Sequence, residues 1–431
     1  PDNTLGGENS RLNSNVEING INADRIDGGA RRNSNLFHSF QELNINNNQA
    51  VYFANPDGVE NILTRVTGGN QSNIFGTLGV DGAANLFLIN PNGIVFGESA
   101  SLDLQGSFLG TTASGLRFGE QGSFNATNPE IPGSLTINPS ALFFNQVEAS
   151  GGIINKSQAP AEINPDGNFT TGLRVPNGKS LLLVGGDINF DGGRLRAYEG
   201  NIELASFTSE GTVGLNISGD NFSLNIPEDL ERGDVSLTNQ SFISVLGAVV
   251  WNFTINARNL EISNSAIFSG IGENSDNPNA QAGDINLNAT GSIEFKDDSA
   301  INNSVYSQGN AGNININARE SILLQGTMNF DWTENNYNIE DAQLTTISSL
   351  VLPEAIGNAG NIQIITGNLS LNDEASIYSD TMGKGNAGNI TINTRDAVSL
   401  DNISDIRSNV SLEGVGKGGD IRMITKNLTL T

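Results

Sequence analysis

The sequence predicts an all-β chain that folds as a right-handed parallel β-helix, and three observations support this prediction. First, the 431 residues include 51 Gly, no Cys and only 16% charged residues. Gly, Asn, Ser and Thr are frequent, and they favour turns and strand edges over helices. Second, short apolar segments alternate with polar positions, which is the period of a β-strand. Third, the second half of the chain repeats with a period of about 29 residues.

The repeats begin near Trp251, and most carry an Ala-Gly or Gly-Gly dipeptide before their first strand. The anchor glycines of these dipeptides are Gly283, Gly312, Gly360, Gly388 and Gly419. One unit buries too little apolar surface to offset the entropy of ordering it, so successive units must stack. Strands that pair with their counterparts one unit later run parallel, which makes a parallel β-helix. Asn residues at equivalent bends, such as Asn313, Asn361 and Asn389, are expected to stack their amides into ladders.

The same alternation occurs earlier, in residues 181–207 and more loosely in residues 60–145, so the β-helix is predicted to be continuous. Residues 1–50 fit the repeat worst, and a β-helix needs its open end covered against edge pairing. We therefore predict an N-terminal cap over residues 1–50 and a first β-helical domain over 51–250, with small β elements outside the helix. A repeat shaft is predicted over 251–431.

Charge and composition exclude several classes of function. The formal net charge is −26 and the isoelectric point is near 4.2, whereas nucleic acids and anionic membranes require clustered Lys and Arg. No apolar run approaches the ~20 residues of a membrane span, so no membrane insertion is predicted. The sequence starts at Pro1 without a signal peptide, so either none existed or it has been removed.

No catalytic, metal or cofactor site is predicted. His38 is the only histidine, which leaves little room for a Ser-His-Asp triad or a multi-His metal site. Because it lies beside Phe37 and Phe40, we interpret it as a cap residue. Residues 383–388 match a dinucleotide-binding pattern, but a strand rather than a helix follows them, so no helix N-terminus is available for a pyrophosphate.

Two further patterns have ordinary structural interpretations. The carboxylate pairs Asp297 with Asp298 and Asp373 with Glu374 suit acid-base chemistry or calcium binding only if stacked coils bring them together. Adjacent strand residues point to opposite faces, so solvated bends are favoured. Residues 232–234 spell Arg-Gly-Asp, a tripeptide that integrins recognise, but a plain turn is the favoured interpretation.

An insertion over about 325–343 interrupts the repeats and is a possible ligand loop. Its aromatic and acidic residues include Phe330, Trp332, Tyr337, Asp331 and Glu334. An exposed loop of this kind would bind a sugar or a cation. The alternative, slightly favoured, is that the aromatic side chains pack onto the flank of the helix.

The stretch "NLFLINPNGIVFG" places one four-residue turn inside a strongly apolar run. Pro91 presets φ for a turn, and both Asn92 and Gly93 tolerate positive φ. We therefore predict a strand, a bend and a second strand.

Residues 1 to about 207 carry several motifs in a fixed order, including "SNLFHSFQELNI", "ANLFLINPNGIVFG", "SFLGTTASGLRFG", "LTINPSALFFNQ" and "LRVPNGKSLLLVGGDINF". Together these motifs resemble the secretion domain of the filamentous haemagglutinin family, the cargo proteins of two-partner secretion, in its cyanobacterial form. The later repeats fit the shaft that such proteins carry.

The resemblance assigns roles to two groups of residues. The family hallmark Asn-Pro-Asn-Gly-Ile falls on Asn90, Pro91, Asn92, Gly93 and Ile94, which are implied to act in recognition or domain folding. Many proteobacterial members also carry Asn-Pro-Asn-Leu. The nearest string here is "NSNL", with Asn33, Asn35 and Leu36, and it lacks the proline.

The function implied by the resemblance is that of exported cargo. Such a chain is secreted by Sec into the periplasm, bound by the POTRA domains of an outer-membrane β-barrel transporter, and threaded outward to the cell surface or medium. We expect a monomeric, non-enzymatic, adhesin-like protein whose targets include host or environmental glycans.

Two alternatives are a polysaccharide-active or sugar-binding β-helix protein and a passive spacer. Pectin-degrading enzymes with this fold need a concentrated cluster of acidic and basic residues, and this chain has few basic ones. The sequence stops in mid-repeat at Thr431, so a fragment of a longer protein is expected.

Overall fold

The computed structural model describes residues 1–145, 151–219, 221–248, 250–326 and 344–431. In these ranges the chain is almost entirely β, with one 3-10 helix at Gly119–Gln121 and no α-helix. The predicted all-β class is confirmed. Contacts divide the chain into two compact units, one of Pro1–Glu162 with Phe169–Asp234 and one of Ile163–Asn168 with Val235–Thr431.

The first unit contains twenty-five strands in its described part. They are β1 Ser10–Ile18, β2 Ile21–Gly28, β3 Ala30–Arg32, β4 Asn35–Phe40, β5 Ala50–Ala54, β6 Asn61–Val66, β7 Ser72–Ile74, β8 Thr77–Asp81, β9 Asn85–Ile89, β10 Ile94–Phe96, β11 Ser101–Asp103, β12 Phe108–Thr111, β13 Gly115–Arg117, β14 Ser123–Asn125, β15 Ala141–Phe144, β16 Ile153–Asn155, β17 Pro160–Ala161, β18 Thr170–Thr171, β19 Leu173–Arg174, β20 Leu181–Gly185, β21 Ile188–Asp191, β22 Arg194–Arg196, β23 Ile202–Ser206, β24 Gly211–Ser218 and β25 Asn221–Asn225.

Three stacks of parallel strands form the body of the first unit. One stack runs β4, β6, β9, β12, β20 and β23. A second runs β2, β5, β8 and β11, and a third runs β7, β10, β16 and β21. Successive coils add strands to these stacks, which is the arrangement of a parallel β-helix. The predicted fold is therefore confirmed.

An antiparallel sheet outside the helix gives the first unit a second apolar layer. Strands β13, β14, β15, β24 and β25 form this sheet. Its side chains cover one row of aligned residues in the first stack, the row that points away from the interior of the β-helix. The strands of this stack therefore carry apolar side chains on both faces. The row includes Phe37, Leu63, Phe87, Leu109 and Leu182, all fully buried. The predicted extra-helical β elements are confirmed here.

The second unit contains sixteen strands in its described part. They are β26 Val235–Thr238, β27 Phe242–Leu246, β28 Phe253–Ala257, β29 Leu260–Ser263, β30 Ala266–Ile271, β31 Ile285–Ala289, β32 Ile293–Lys296, β33 Ala300–Val305, β34 Ile314–Gln325, β35 Thr346–Val351, β36 Ile362–Asn372, β37 Ser376–Thr381, β38 Ile390–Leu400, β39 Asp405–Arg407, β40 Ile421–Ile424 and β41 Asn427–Leu430.

These strands also stack in parallel, and in the described residues the register shifts only at one bend within the long strands, between Ala318 and Ser321 of β34 and between Thr366 and Asn368 of β36. Strands β28, β31, β34, β36, β38 and β40 form one stack, and β27, β30, β33, β35, β37 and β39 form another. Ile285, Ile314, Ile362 and Ile390 are aligned partners and fully buried. The apolar positions that alternate in the repeat sequences are therefore the residues of the core. The domain boundaries at residues 50 and 250 stay predictions.

The anchor glycines are explained by an interior column of small polar side chains. The Ser379 hydroxyl donates to the Gly360 carbonyl at 3.0 Å and accepts from the Gly388 N–H at 2.8 Å. Ser349 likewise accepts from the Gly360 N–H at 2.8 Å. A Cβ on Gly360 would lie 1.8 Å from the Gly312 carbonyl oxygen, so only glycine fits.

We expect Ser379→Ala to destabilise the shaft by about 1–3 kcal/mol, because it removes two buried hydrogen bonds from one coil. Ser376→Ala on the same strand is the matched control and should change the free energy of unfolding by less than about 0.5 kcal/mol. Urea unfolding of both variants measures the difference. Equal effects of the two substitutions would contradict a role for the column.

The predicted asparagine ladders are confirmed at the bends. Asn361 Nδ2 donates to Asn313 Oδ1 at 3.0 Å, and the Asn389 N–H donates to Asn361 Oδ1 at 2.8 Å. The ladder continues to Asp420, whose N–H donates to Asn389 Oδ1 at 2.8 Å. Each amide thus binds the next coil, which accounts for much of the asparagine content.

Candidate functional site

The candidate site is the turn of residues 90–94, called the 90–94 corner below. It connects β9, which ends at Ile89, to β10, which begins at Ile94. The Gly93 N–H donates to the Asn90 carbonyl at 3.1 Å and closes the turn. Gly93 has φ +120, a backbone conformation that residues other than glycine rarely adopt. Asn92 does not have a positive φ, although the sequence would allow one.

Both asparagine side chains bind the preceding coil. Asn90 Nδ2 donates to the Asn70 carbonyl at 3.1 Å and to Ser72 Oγ at 2.9 Å. Asn92 Nδ2 donates to the Gly68 carbonyl at 2.7 Å, and its N–H donates to Asn90 Oδ1 at 3.0 Å. The two amides therefore hold the corner through side-chain hydrogen bonds.

The next coil closes over the backbone of the corner. The Gly151 N–H donates to the Pro91 carbonyl at 2.7 Å, and the Ile94 N–H donates to the Gly152 carbonyl at 3.1 Å. Any Cβ on Gly151 would lie 2.1 Å from the Asn92 carbonyl carbon. The corner thus packs between two coils.

Burial leaves little of the 90–94 corner for a partner of the folded domain. Asn90 and Ile94 are fully buried, Pro91 and Gly93 are buried, and Asn92 is half-buried. Ile94 is an interior core residue. The amides of Asn90 and Asn92 already have hydrogen-bond partners within the chain.

A second turn of nearly the same sequence lies in a different environment. Residues 55–58 read Asn-Pro-Asp-Gly, and Pro56, Asp57 and Gly58 are exposed. Gly58 has φ +75, and only Arg31 Nη2 lies near its would-be Cβ, at 3.1 Å. The tetrapeptide pattern therefore fixes a turn but not its burial. The shared Asn-Pro-Asx-Gly pattern of the two turns is visible in the sequence alone.

The second implied motif is divided between surface and interior. Asn33 has φ +56 in the exposed turn between β3 and β4. Asn35 is fully buried, as is Leu36. Asn35 Nδ2 donates to the Leu135 carbonyl at 2.9 Å and to the Ile137 carbonyl at 2.6 Å.

Asn35 begins a buried amide ladder that the sequence reading missed. Asn61 Nδ2 donates to Asn35 Oδ1 at 3.0 Å, and Asn85 Nδ2 donates to Asn61 Oδ1 at 3.1 Å. Asn85 opens strand β9, whereas Asn90 follows its end. The two motifs thus lie at opposite ends of a strand and do not form one cluster.

The lone histidine is buried in the first stack. His38 Nδ1 lies 2.9 Å from Ser10 Oγ, and the ring packs 5.2 Å from the ring of Phe53. Burial lowers the pKa of His38 to about 3, against a smaller opposing effect of Asp27. The imidazole is therefore neutral throughout the physiological range.

This depressed pKa predicts loss of stability in acid. The folded pKa lies below the unfolded value, so the stabilisation is complete above about pH 6.5 and is lost as the pH falls toward about 3. The expected slope is up to about 1.4 kcal/mol per pH unit. His38→Asn, which preserves a partner for Ser10, should reduce the slope in urea unfolding between pH 7 and 4. Equal slopes for both proteins would contradict this account.

A second buried titratable group lies beneath the extra-helical sheet. Glu203 is the partner of Leu182 in the outward row of the first stack. Burial raises the pKa of its carboxyl to about 7, although the Leu224 N–H donates to Glu203 Oε2 at 2.9 Å and opposes the rise. The group is structural, because it lies under the sheet and away from any described groove.

The remaining candidate residues from the sequence either form bends and buried turns or lie outside the described residues. Asp297 with Asp298 and Asp373 with Glu374 all adopt positive φ and form bends, as favoured. The Gly233 N–H of the Arg-Gly-Asp string donates to the Ser206 carbonyl at 3.0 Å, and Gly233 is buried. The proposed ligand-loop residues lie outside the described ranges: Phe330, Asp331, Trp332, Glu334 and Tyr337.

Over the described residues, no three His, Cys, Asp or Glu side chains cluster in a way that would hold a metal ion. In the same ranges, no helix has the length and apolar character needed to span a membrane.

Comparison with known proteins identifies the family. A heme/hemopexin-binding protein of Haemophilus influenzae (strain ATCC 51907 / DSM 11121 / KW20 / Rd) is 38% identical over 89 residues, which cover 21% of this chain and only 9% of that protein. The crystal structure of the HMW1 secretion domain from Haemophilus influenzae is 15% identical, with a TM-score of 0.43 over 98% of this chain and 100% of that one. The cyanobacterial type stays a prediction. Residues 1–252 match the TPS secretion domain family, so the chain belongs to the secretion domains of two-partner secretion.

Proposed function

We propose that this chain is the secretion domain and adjoining shaft of an exported, adhesin-like protein. In this proposal the POTRA domains of an outer-membrane β-barrel transporter recognise the domain in the periplasm, and the chain folds after export. The family match over residues 1–252 supports the export role. The finished protein is a monomer at the cell surface or in the medium, and surface glycans are its targets.

The geometry of the 90–94 corner carries the mechanistic part of the proposal. The amides of Asn90 and Asn92 are free to meet a partner only before the neighbouring coils form, because the folded chain uses them internally. We infer that the transporter reads this segment in an extended form. Closure of the corner then withdraws the segment from the transporter and commits the chain to the outside.

Stepwise stacking provides the driving force in this mechanism. Each added coil forms backbone hydrogen bonds with the coil before it and buries one more set of aliphatic side chains. A coil that has formed outside the membrane resists return through a narrow pore, since it would first have to unfold. No nucleotide is required on the outer side.

We further propose that the domain is not an enzyme. Its only histidine is buried and neutral, with a pKa of about 3, so it is a poor general base. The polysaccharide-active alternative requires a cleft with clustered acid and base groups.

The export role is tested by secretion of residues 1–250 together with the cognate transporter. We expect the fragment to reach the medium folded, and to be retained when the POTRA domains are deleted from the transporter. Immunoblotting of medium and periplasm with protease resistance as the folding readout provides the measurement. Secretion that is independent of the POTRA domains would overturn the proposal.

A further inference from the structure

A shallow groove of about 380 Å³ lies on the flank of the second unit, where the long strands β34, β36 and β38 bend. Its walls include Arg319, Ile365, Thr366, Thr394 and Arg395. Ala318, Thr366 and Thr394 are aligned partners on successive coils. The arginines that follow the first and last of them therefore lie two strand spacings apart along the backbone, about 10 Å.

On the middle of the three coils that line the groove, a glycine stands where the coils on either side carry arginine. Arg319 and Arg395 occupy equivalent bends, and Gly367 occupies the bend between them. A Cβ on Gly367 would lie 2.6 Å from Arg395 Nη2 and 2.2 Å from the Glu320 carbonyl oxygen. The guanidinium of Arg395 therefore lies over Gly367, in the space that a side chain at this position would fill.

The two arginines differ in how firmly they are held. Arg395 Nη1 donates to the Arg319 carbonyl at 3.3 Å, and its Nε donates to Asp396 at 3.1 Å. The guanidinium of Arg319 is exposed and makes no hydrogen bond or ion pair with the described residues. The guanidinium of Arg395 is therefore held in place by the protein, whereas that of Arg319 is available to a ligand. The net charge of the whole chain is −26.

The groove floor breaks a row of amides with an apolar residue. Asn317, Ile365 and Asn393 are aligned on successive coils, and Ile365 is 44% exposed. Asn393 Oδ1 is buried without a hydrogen-bond partner. An exposed isoleucine among amides suits the apolar face of a sugar ring, while the amide and threonine hydroxyls suit its hydroxyl groups.

We propose that this groove binds a carboxylated glycan, with the guanidinium of Arg319 pairing with a uronate-type carboxylate and Ile365 packing under a sugar ring. Guanidinium groups bind carboxylates through two parallel hydrogen bonds. The overall negative charge does not prevent this contact, because charges beyond about 8 Å are screened at physiological salt and the nearby Asp396 is paired with Arg395 and Lys426. Nucleic acid fits less well, since none of the groove residues is an aromatic platform for bases.

The test is calorimetric titration of the full 431-residue chain with a short oligogalacturonate at physiological salt. Saturable binding is expected, and Arg319→Gln should weaken it by at least about tenfold. Ile365→Asn, which restores the amide found on both neighbouring coils, should weaken it as well. Arg422→Gln removes the same charge from an exposed position outside the groove and should leave the affinity unchanged.

Three results would overturn the proposal: no saturable binding, equal affinity of Arg319→Gln and the parent chain, or equal binding of a neutral maltodextrin or a DNA duplex. Because the Arg319 side chain makes no hydrogen bond or ion pair with the described residues, its substitution is not expected to affect folding, and thermal unfolding verifies this. The biological meaning of the site rests on the proposed export, but the titration does not. Failed secretion with intact glycan binding would contradict only the proposed export, and normal secretion without glycan binding would contradict only the proposed site.

Discussion

Secretion of the chain is expected to fall by at least about tenfold when Asn92 and Gly93 are both replaced by alanine. The first substitution removes the 2.7 Å hydrogen bond from Asn92 Nδ2 to the Gly68 carbonyl. The second forces alanine to φ +120, with its Cβ 3.1 Å from the Gly152 carbonyl oxygen. Together these changes cost the corner about 2–5 kcal/mol. Quantitative immunoblotting of the medium measures the effect.

The exposed turn of residues 55–58 provides the matched control. Asp57→Ala with Gly58→Ala imposes comparable strain, since Gly58 has φ +75, but it breaks no buried contact between coils. We expect secretion close to that of the parent chain. Normal secretion of the 90–94 corner variant with its fold intact would contradict the corner's role in export.

Arg65→Met is expected to produce the largest loss of stability in the first unit, about 3–5 kcal/mol. Arg65 is fully buried and donates to Ser39 Oγ at 3.0 Å, the Asn125 carbonyl at 2.9 Å and Thr4 Oγ1 at 2.9 Å. Its guanidinium also lies 4.4 Å from the ring centroid of Phe124. The substitution leaves these polar partners buried and unpaired. Urea unfolding of residues 1–250 measures the loss.

Arg25→Met is the control for this substitution. Arg25 pairs with Asp27 at 2.7 Å, but both side chains are partly exposed to solvent. Solvent screening limits such a pair to about 1 kcal/mol at most. If both variants lost equal stability, burial of the hydrogen-bond network around Arg65 would not explain the loss.

The sequence was sufficient to predict the parallel β-helix because its information is local and periodic. Alternation places Ile314, Ile362 and Ile390 on one face, and repetition of the same sequence pattern on each side of the insertion requires those positions to align. Ladder formation by Asn361 follows from the same repetition. No long-range contact had to be guessed for these features.

Features that depend on unique long-range pairs were not predictable in this way. The outward row containing Phe87 is apolar because a sheet formed by later residues, including Phe222, covers it with rings 5.5 Å apart. Asn35 binds carbonyls about a hundred residues away. Nothing in the local pattern around Arg65 marks it as buried. Likewise, the NPNG tetrapeptide predicted a turn but not its position between two coils.

The most direct test of the central claim compares how the transporter's isolated periplasmic POTRA domains bind two forms of the same segment. One is an unstructured peptide of residues 85–97, and the other is the folded domain of residues 1–250. If the corner is read before it folds, the peptide binds and loses affinity when Asn90 and Asn92 become alanine, while the folded domain does not compete through this segment. Equal or tighter binding of the folded domain, lost on the same substitutions without unfolding, would contradict the claim.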